Sequence, residues 1–276
     1  ACFLELRSTA ECAALRHVFF AERAARPPAS VKAADPQSLD RTVVVGGGTM
    51  GAGIAYALMQ SGSAVTLVER DDEAAASARA RVSGLLDAAV SRGLTSADKA
   101  AAQLTSMRFQ AGYDDLQDAG LAIEAAFEDM VVKKDVLAAL DSAMPDAVLA
   151  TNTSYLDIDK MAGWLADPSR LVGLHFFSPA HIMKLLEIVR GKASSDMALA
   201  TGFALAKRLG KLPVMVGVCD GFVGNRMLQR VREAAEHLLL DGAEFTQIDR
   251  VMTNFGYAMG LYMTQDLSGL DIAWAN

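Results

Sequence analysis

Residues 41–55 read RTVVVGGGTMGAGIA, and this stretch decides the fold. The β-branched run Thr42–Val45 has the composition of a short buried strand. It leads into Gly46, Gly48 and Gly51, spaced G-x-G-x-x-G, and then into a helical pattern over 50–61. That spacing alone is weak. Here it follows a strand, opens a helix and sits in a strand–helix–strand unit of about thirty residues, which is the setting of a dinucleotide-binding turn. The first glycine makes the tight turn, the second lets the backbone approach a pyrophosphate, and the third permits close helix–sheet packing. Free N–H groups where the helix opens, at Thr49 and Met50, suit the phosphates, as does the positive end of the helix dipole. The second strand, SAVTLVER (63–70), carries Glu69 near its end, 18 residues after Gly51. A carboxylate there accepts hydrogen bonds from the adenine-ribose hydroxyls and repels a 2′-phosphate, so the expected cofactor is NAD and not NADP. Arg70, its neighbour, is the cation that argues the other way.

Outward from this unit, strand and helix patterns alternate. A long Ala- and Arg-rich helix covers about 72–91. The strands LAIEAAF (121–127), AVLATNTS (147–154), RLVGLHFF (170–177) and LPVMVGV (212–218) follow, separated by helical stretches. Alternation of this kind predicts an α/β fold with a doubly wound Rossmann-type sheet, mostly parallel, with antiparallel strands late. From about Gly221 the pattern is helical only, which predicts an all-helical C-terminal domain. Ahead of the sheet, residues 1–26 read as one amphipathic helix with an apolar stripe from Phe3 to Phe19, stopped by Pro27-Pro28. The expected division is 1–39 linker helix and linker, 40–219 NAD-binding domain and 220–276 helical domain, the last one truncated. The chain opens at Ala1 and stops at Asn276 straight after an apolar stretch that includes Ile272, Ala273 and Trp274. The expectation from both ends is a piece of a longer protein.

Composition narrows the classes. A formal net charge of −7 argues against non-specific nucleic-acid binding. No run of 18 apolar residues implies a membrane span, and the charged first twenty residues are not a signal peptide. Three cysteines (Cys2, Cys12, Cys219) cannot all pair and show no metal-ligand spacing, so reduced thiols in a cytosol-like, cytoplasmic compartment are expected and no metal is. Cys219 reads as a buried small residue.

Of the four histidines, His17 and His237 lie on charged helices and read as surface residues. His175 stands near the end of a strand of the cofactor sheet, where ligands of doubly wound sheets bind. A second apolar run, KLLEIV (184–189), follows after Ser178-Pro179-Ala180-His181. If the two runs pair as an antiparallel ribbon centred near His181, His175 and Glu187 oppose each other and share a face. A glutamate in an apolar strand is costly unless paired, and the histidine supplies the partner. Oxidation of an alcohol needs a neutral imidazole to take the hydroxyl proton and a carboxylate to fix its tautomer and stabilise the imidazolium. His181 is the rival base, but it sits in a turn without an evident carboxylate.

Five blocks then occur in order: VVVGGGTMGAGIA, IEAAFED with a lysine soon after, TNTS, HFFSPAHIMKLLEIV and GFVGNR. Together they resemble the L-3-hydroxyacyl-CoA dehydrogenase family over roughly residues 40–276. The resemblance implies NAD-dependent oxidation of a 3-hydroxyacyl-CoA thioester in fatty acid β-oxidation, with His175 as base and Glu187 as its orienter. It implies that Ser154 and Asn225 hydrogen-bond the substrate, and that Glu128 and Lys133 lie on the nicotinamide-ribose side. Arg92 matches by position a cation that binds the CoA part. The ends, ALRHVFFAERAA and YAMGLYMTQDLSGLDIAW, resemble the dehydrogenase part of bifunctional enoyl-CoA hydratase/3-hydroxyacyl-CoA dehydrogenases, which implies a fused hydratase domain as partner; a homodimer is a further assembly considered. Departures are Glu69 for the commoner Asp, Tyr155 after Ser154, and Tyr257-Ala258 and Leu261 where a Pro-Met-Gly-Pro turn is usual. Two other readings stand beside this one. A dehydrogenase of small hydroxy acids would need a buried arginine for the substrate carboxylate. A non-catalytic NAD-binding module would have no use for the intact His175, Glu187, Ser154 and Asn225.

Overall fold

The β-branched run after Asp40 forms the central strand of the sheet. In the computed structural model, which describes residues 2–268, two helices precede it, α1 (Cys2–Arg7) and α2 (Ala10–Ala24), then a short α3 (Ala29–Ala33). The single helix expected over 1–26 is interrupted at Ser8–Thr9, where the Thr9 hydroxyl caps α2 by accepting from the Cys12 N–H at 3.1 Å. Neither helix has a buried residue, and Phe3, Leu15 and Phe20 are 72%, 71% and 65% exposed. The apolar stripe is therefore uncovered in this chain.

The sheet and its helices run β1 (Arg41–Val45), α4 (Thr49–Gln60), β2 (Ala64–Glu69), α5 (Asp72–Ser91), α6 (Ala97–Ser106), β3 (Arg108–Ala111), β4 (Leu121–Glu124), α7 (Met130–Ala143), β5 (Val148–Thr151), α8 (Ile158–Ala162), β6 (Leu171–Phe176), β7 (Leu185–Arg190), α9 (Asp196–Arg208) and β8 (Leu212–Gly217). Their spatial order is β3-β2-β1-β4-β5-β6-β7-β8. β1 pairs in parallel with both β2 and β4, so the chain reverses its winding there and the glycine turn sits at the crevice that the reversal opens. All pairs are parallel except β6–β7, which is antiparallel in the register Gly173↔Val189, His175↔Glu187 and so is centred on position 181, as the sequence predicts.

Alternation along the strands feeds two apolar layers. Val44, Leu67 and Ile123 face one layer, under α4, α5 and α9; Val43, Val45, Val68 and Ala122 face the other, with α7 and α8. β3 was not foreseen. It is a short edge strand with no buried residue and a charged first position, so it carries no apolar run to read.

The chain divides into two compact units, one through Phe222 and one from Val223. The second contains α10 (Gly224–Leu240), α11 (Phe245–Phe255) and α12 (Leu261–Ser268). Its small core is Ala235, Ile248 and Leu261 with Leu228, Leu239 and Tyr262 packed on them. Helix begins at Gly224, not Gly221, because the chain turns first: Phe222 has φ 47° and its side chain is buried in the sheet layer of the first unit. Ile272, Ala273 and Trp274 lie outside the described residues.

Candidate active site

The glycine turn is shaped by backbone proximity. Gly46 has φ +92°, and a Cβ there would lie 2.7 Å from the Ala125 carbonyl oxygen. A Cβ on Gly51 would lie 1.7 Å from the Gly46 carbonyl oxygen, so only glycine lets α4 start against the turn. Gly48 differs. A Cβ there would meet no protein atom within 4 Å, and Gly48 caps α4 without a side-chain hydrogen bond. Open space beside uncapped N–H groups at a helix start is the room and chemistry a pyrophosphate needs. Thr49 is exposed at this start, while Met50 is half-buried and packs on the core.

Glu69 ends β2 beside the turn. Its Oε1 accepts from the Gly47 N–H at 2.7 Å and its Oε2 from the Arg70 N–H at 3.2 Å, which anchors the carboxylate beside the glycine turn. The Arg70 guanidinium points to Asp71 (3.0 Å) and is exposed. Arg81 donates to the Gly47 carbonyl at 3.2 Å, a second cation at the turn that the sequence reading passed over.

Across the switch point, β5 and β6 present the reactive groups. His175 is buried, and its Nδ1 lies 2.7 Å from Glu187 Oε2, with Glu187 buried opposite it on β7. The carboxylate makes Nδ1 the protonated nitrogen and leaves Nε2 as the acceptor. Nε2 lies 3.2 Å from the Ser154 hydroxyl. The rings of Phe177 and Phe222 flank the imidazole at centroid distances of 4.6 and 5.5 Å. His175, Glu187 and Ser154 are thus brought together. Asn225 stands in the first turn of α10, in the second unit.

Glu128 and Lys133 meet, but on a network the sequence reading did not include. Lys133 is buried and holds both oxygens of the buried Glu124, at 2.8 and 2.9 Å, and Glu128 Oε2 at 3.2 Å. Thr151 donates to Glu124 at 2.6 Å. Glu128 Oε1 accepts from the Thr153 hydroxyl at 2.5 Å and from the N–H groups of Ser154 and Tyr155 at 2.8 and 3.3 Å. Asn152 Oδ1 accepts from the Phe176 N–H at 2.9 Å and ties the end of β5 to the end of β6. Glu124 had a readable signal: like Glu187, it is a carboxylate at the end of an apolar strand, and it needs a cation. Asn152 and Thr153 had none beyond lying beside Ser154.

His181 sits in the turn after β6 and touches the Tyr56 ring edge-on at 5.4 Å. Its Nδ1 is buried with no hydrogen-bond partner. Burial, and then Lys211 and Arg92, push its pKa below the ordinary 6.5. Arg92 itself is exposed at the end of α5. His17 and His237 are exposed, as expected. Cys219 is half-exposed and not buried, because the chain bends there: its thiol donates to the Phe222 carbonyl at 3.3 Å across the turn.

With this geometry in view, the chain matches the family described as 3-hydroxyacyl-CoA dehydrogenase, NAD binding domain, over residues 41–219, and 3-hydroxyacyl-CoA dehydrogenase, C-terminal domain, over residues 221–276. The peroxisomal bifunctional enzyme of Danio rerio is 42% identical over 276 residues, which are 98% of this chain and 38% of that protein. The chain therefore spans about two fifths of the length of this relative. Among solved structures, FadB2 of M. tuberculosis superimposes with a TM-score of 0.81 at 36% identity, over 86% of this chain and 84% of that one. The (S)-3-hydroxybutyryl-CoA dehydrogenase PaaH1 of Ralstonia eutropha gives 0.80 at 34%, over 86% and 85%.

Proposed function

The chain belongs to the 3-hydroxyacyl-CoA dehydrogenase family, and from that premise we propose that it oxidises (S)-3-hydroxyacyl-CoA to 3-ketoacyl-CoA in fatty acid β-oxidation. The observation that carries this reading is the buried His175, held between Glu187 at 2.7 Å and Ser154 at 3.2 Å on the same sheet as the dinucleotide turn. Bound at that turn, NAD supplies the acceptor for the hydride. Gly46, Gly48, Gly51 and the first N–H groups of α4, at Thr49 and Met50, would hold its pyrophosphate, Glu69 its adenine ribose, and Glu128 with Lys133 its nicotinamide-ribose side.

His175 Nε2 takes the proton of the substrate's 3-hydroxyl. Glu187 accepts from Nδ1–H throughout and stabilises the imidazolium that forms. Ser154 hydrogen-bonds the hydroxyl that becomes the carbonyl and fixes it beside Nε2, and the family resemblance gives Asn225 a hydrogen bond to the substrate. Arg92 meets the charged end of the CoA.

The reading as a small hydroxy-acid dehydrogenase loses support. That chemistry needs an available buried arginine, and the buried Arg170 is committed to Asp141 and to the Met144 and Ala147 carbonyls. In the longer protein a fused enoyl-CoA hydratase domain precedes the segment 1–39, the NAD-binding domain covers 40–219 and the helical domain starts at 220; a homodimer is the assembly to look for. Among the described residues no helix is long and apolar enough to cross a membrane. The Danio rerio relative is named peroxisomal, so a peroxisomal setting stands beside the cytoplasmic expectation.

The test is acetoacetyl-CoA reduction, followed by the absorbance of the reduced nicotinamide. NADH should support turnover, and NADPH should do so far less well. Failure with both sinks the activity; equal rates sink the role of Glu69.

A further inference from the structure

Ser154 is held at His175 from behind. Its own loop has no strand partner, since β5 ends at Thr151. What fixes the loop is one carboxylate oxygen, Glu128 Oε1, which gathers the Thr153 hydroxyl and the N–H groups of Ser154 and Tyr155. The other oxygen of Glu128 rests on the Lys133 ammonium, and Lys133 is anchored below by the fully buried Glu124. Thr153 is itself fully buried, and its hydroxyl oxygen also accepts from the Leu156 N–H at 2.9 Å and the Tyr155 N–H at 3.4 Å. The donors and acceptors therefore form one chain: Glu124, Lys133, Glu128, Thr153 with the loop backbone, Ser154, His175, Glu187.

We propose that Thr153 and Glu128 form a positioning clamp that sets the Ser154 hydroxyl at His175 Nε2. Neither needs to touch the reacting atoms to do this. The physical basis is that a hydroxyl on an unsupported loop samples several directions, whereas one whose backbone N–H is tied to a fixed carboxylate has its Cα and Cβ set. Glu128 also gives the cofactor side of the site a mechanical link to the substrate side, because a single carboxylate bears on both Lys133 and the serine loop. This clamp rests on the proposed role of Ser154.

The experiment is a double-mutant cycle at saturating NADH, using Thr153→Val, Ser154→Ala and the pair, with acetoacetyl-CoA as substrate. Thr153→Val keeps the side-chain shape and removes the hydroxyl. It should lower kcat by about tenfold to hundredfold, the size of effect a misplaced reacting geometry has, and leave the NADH dissociation constant within about threefold. In the Ser154→Ala background the same change should cost almost nothing. Thr153→Ser should restore most of the rate, because it returns the hydroxyl. Glu128→Ala, at a side chain that is 37% exposed, repeats the kcat cycle at saturating NADH if the buried valine fails to fold; there only the kcat coupling to Ser154→Ala is read, because Glu128 also serves the cofactor side. Equal losses with and without Ser154, or a Thr153→Val enzyme as fast as wild type while Ser154→Ala is slow, would overturn the clamp alone. If Ser154→Ala is as fast as wild type, the assigned role of Ser154 fails and takes the clamp with it.

Discussion

At the scale of single residues, the two histidines near the site are distinguished by their partners. His175 has a carboxylate on one nitrogen and a hydroxyl near the other; His181 has a buried Nδ1 with no partner, and Lys211 and Arg92 nearby. The charged form of His181 is therefore disfavoured in the folded chain. Its pKa is lowered from 6.5, first by burial and then by the two cations, so below that value the unfolded chain binds the proton more readily than the folded one. Stability present above about pH 6.5 is then lost as the pH falls. His181→Gln should lose less of its thermal midpoint than wild type between about pH 7.5 and 5.5, a window above the ordinary carboxylate range; equal losses would contradict this. The His175–Glu187 pair was legible because a charge inside an apolar run demands an opposite partner, and hairpin arithmetic says which residue that is. Glu124 obeyed the same rule and went unread because its partner, Lys133, comes from a helix and not from a facing strand. Thr153 was illegible: a threonine after a strand looks the same whether or not a carboxylate waits behind it.

At the scale of elements, the glycine turn separates packing from binding. Gly51→Ala forces a methyl into the Gly46 carbonyl, so α4 must shift against the sheet, and a stability loss of about 1–3 kcal/mol in urea unfolding is the expected cost. Gly48→Ala meets no protein atom, so it should unfold within about 0.5 kcal/mol of wild type. Its methyl points into the room assigned to the pyrophosphate, so NADH binding should weaken at Gly48→Ala even though the fold is intact. A Gly48→Ala chain that binds NADH as tightly as wild type would move the phosphates elsewhere. The alternation of strand and helix was readable because the inner strands of the sheet are largely apolar runs. β3 was not, since its residues Arg108–Ala111 are at most half-buried on the sheet's edge. The break between α1 and α2 was missed for a related reason: Ser8 and Thr9 fit a helical period by position, and only the Thr9 cap on Cys12 shows that a new helix begins.

At the scale of the whole molecule, the first unit contains the dinucleotide turn, His175, Glu187, Ser154 and the Glu124–Lys133–Glu128 network, while Asn225 belongs to the second. The chain spans 38% of its Danio rerio relative, and the apolar side chains of α1 and α2, Phe3, Leu15 and Phe20 among them, are exposed. The central claim is that the proton leaves the substrate hydroxyl through His175. It is tested most directly by the turnover of His175→Gln and His181→Gln on acetoacetyl-CoA, with NADH affinity measured on the same preparations. His175→Gln should lose about 10²–10⁴-fold in turnover, the worth of a general base, with NADH affinity within about threefold of wild type, and His181→Gln should stay near the wild-type rate. A His175→Gln enzyme that turns over at the wild-type rate, or a loss confined to His181→Gln, would contradict it.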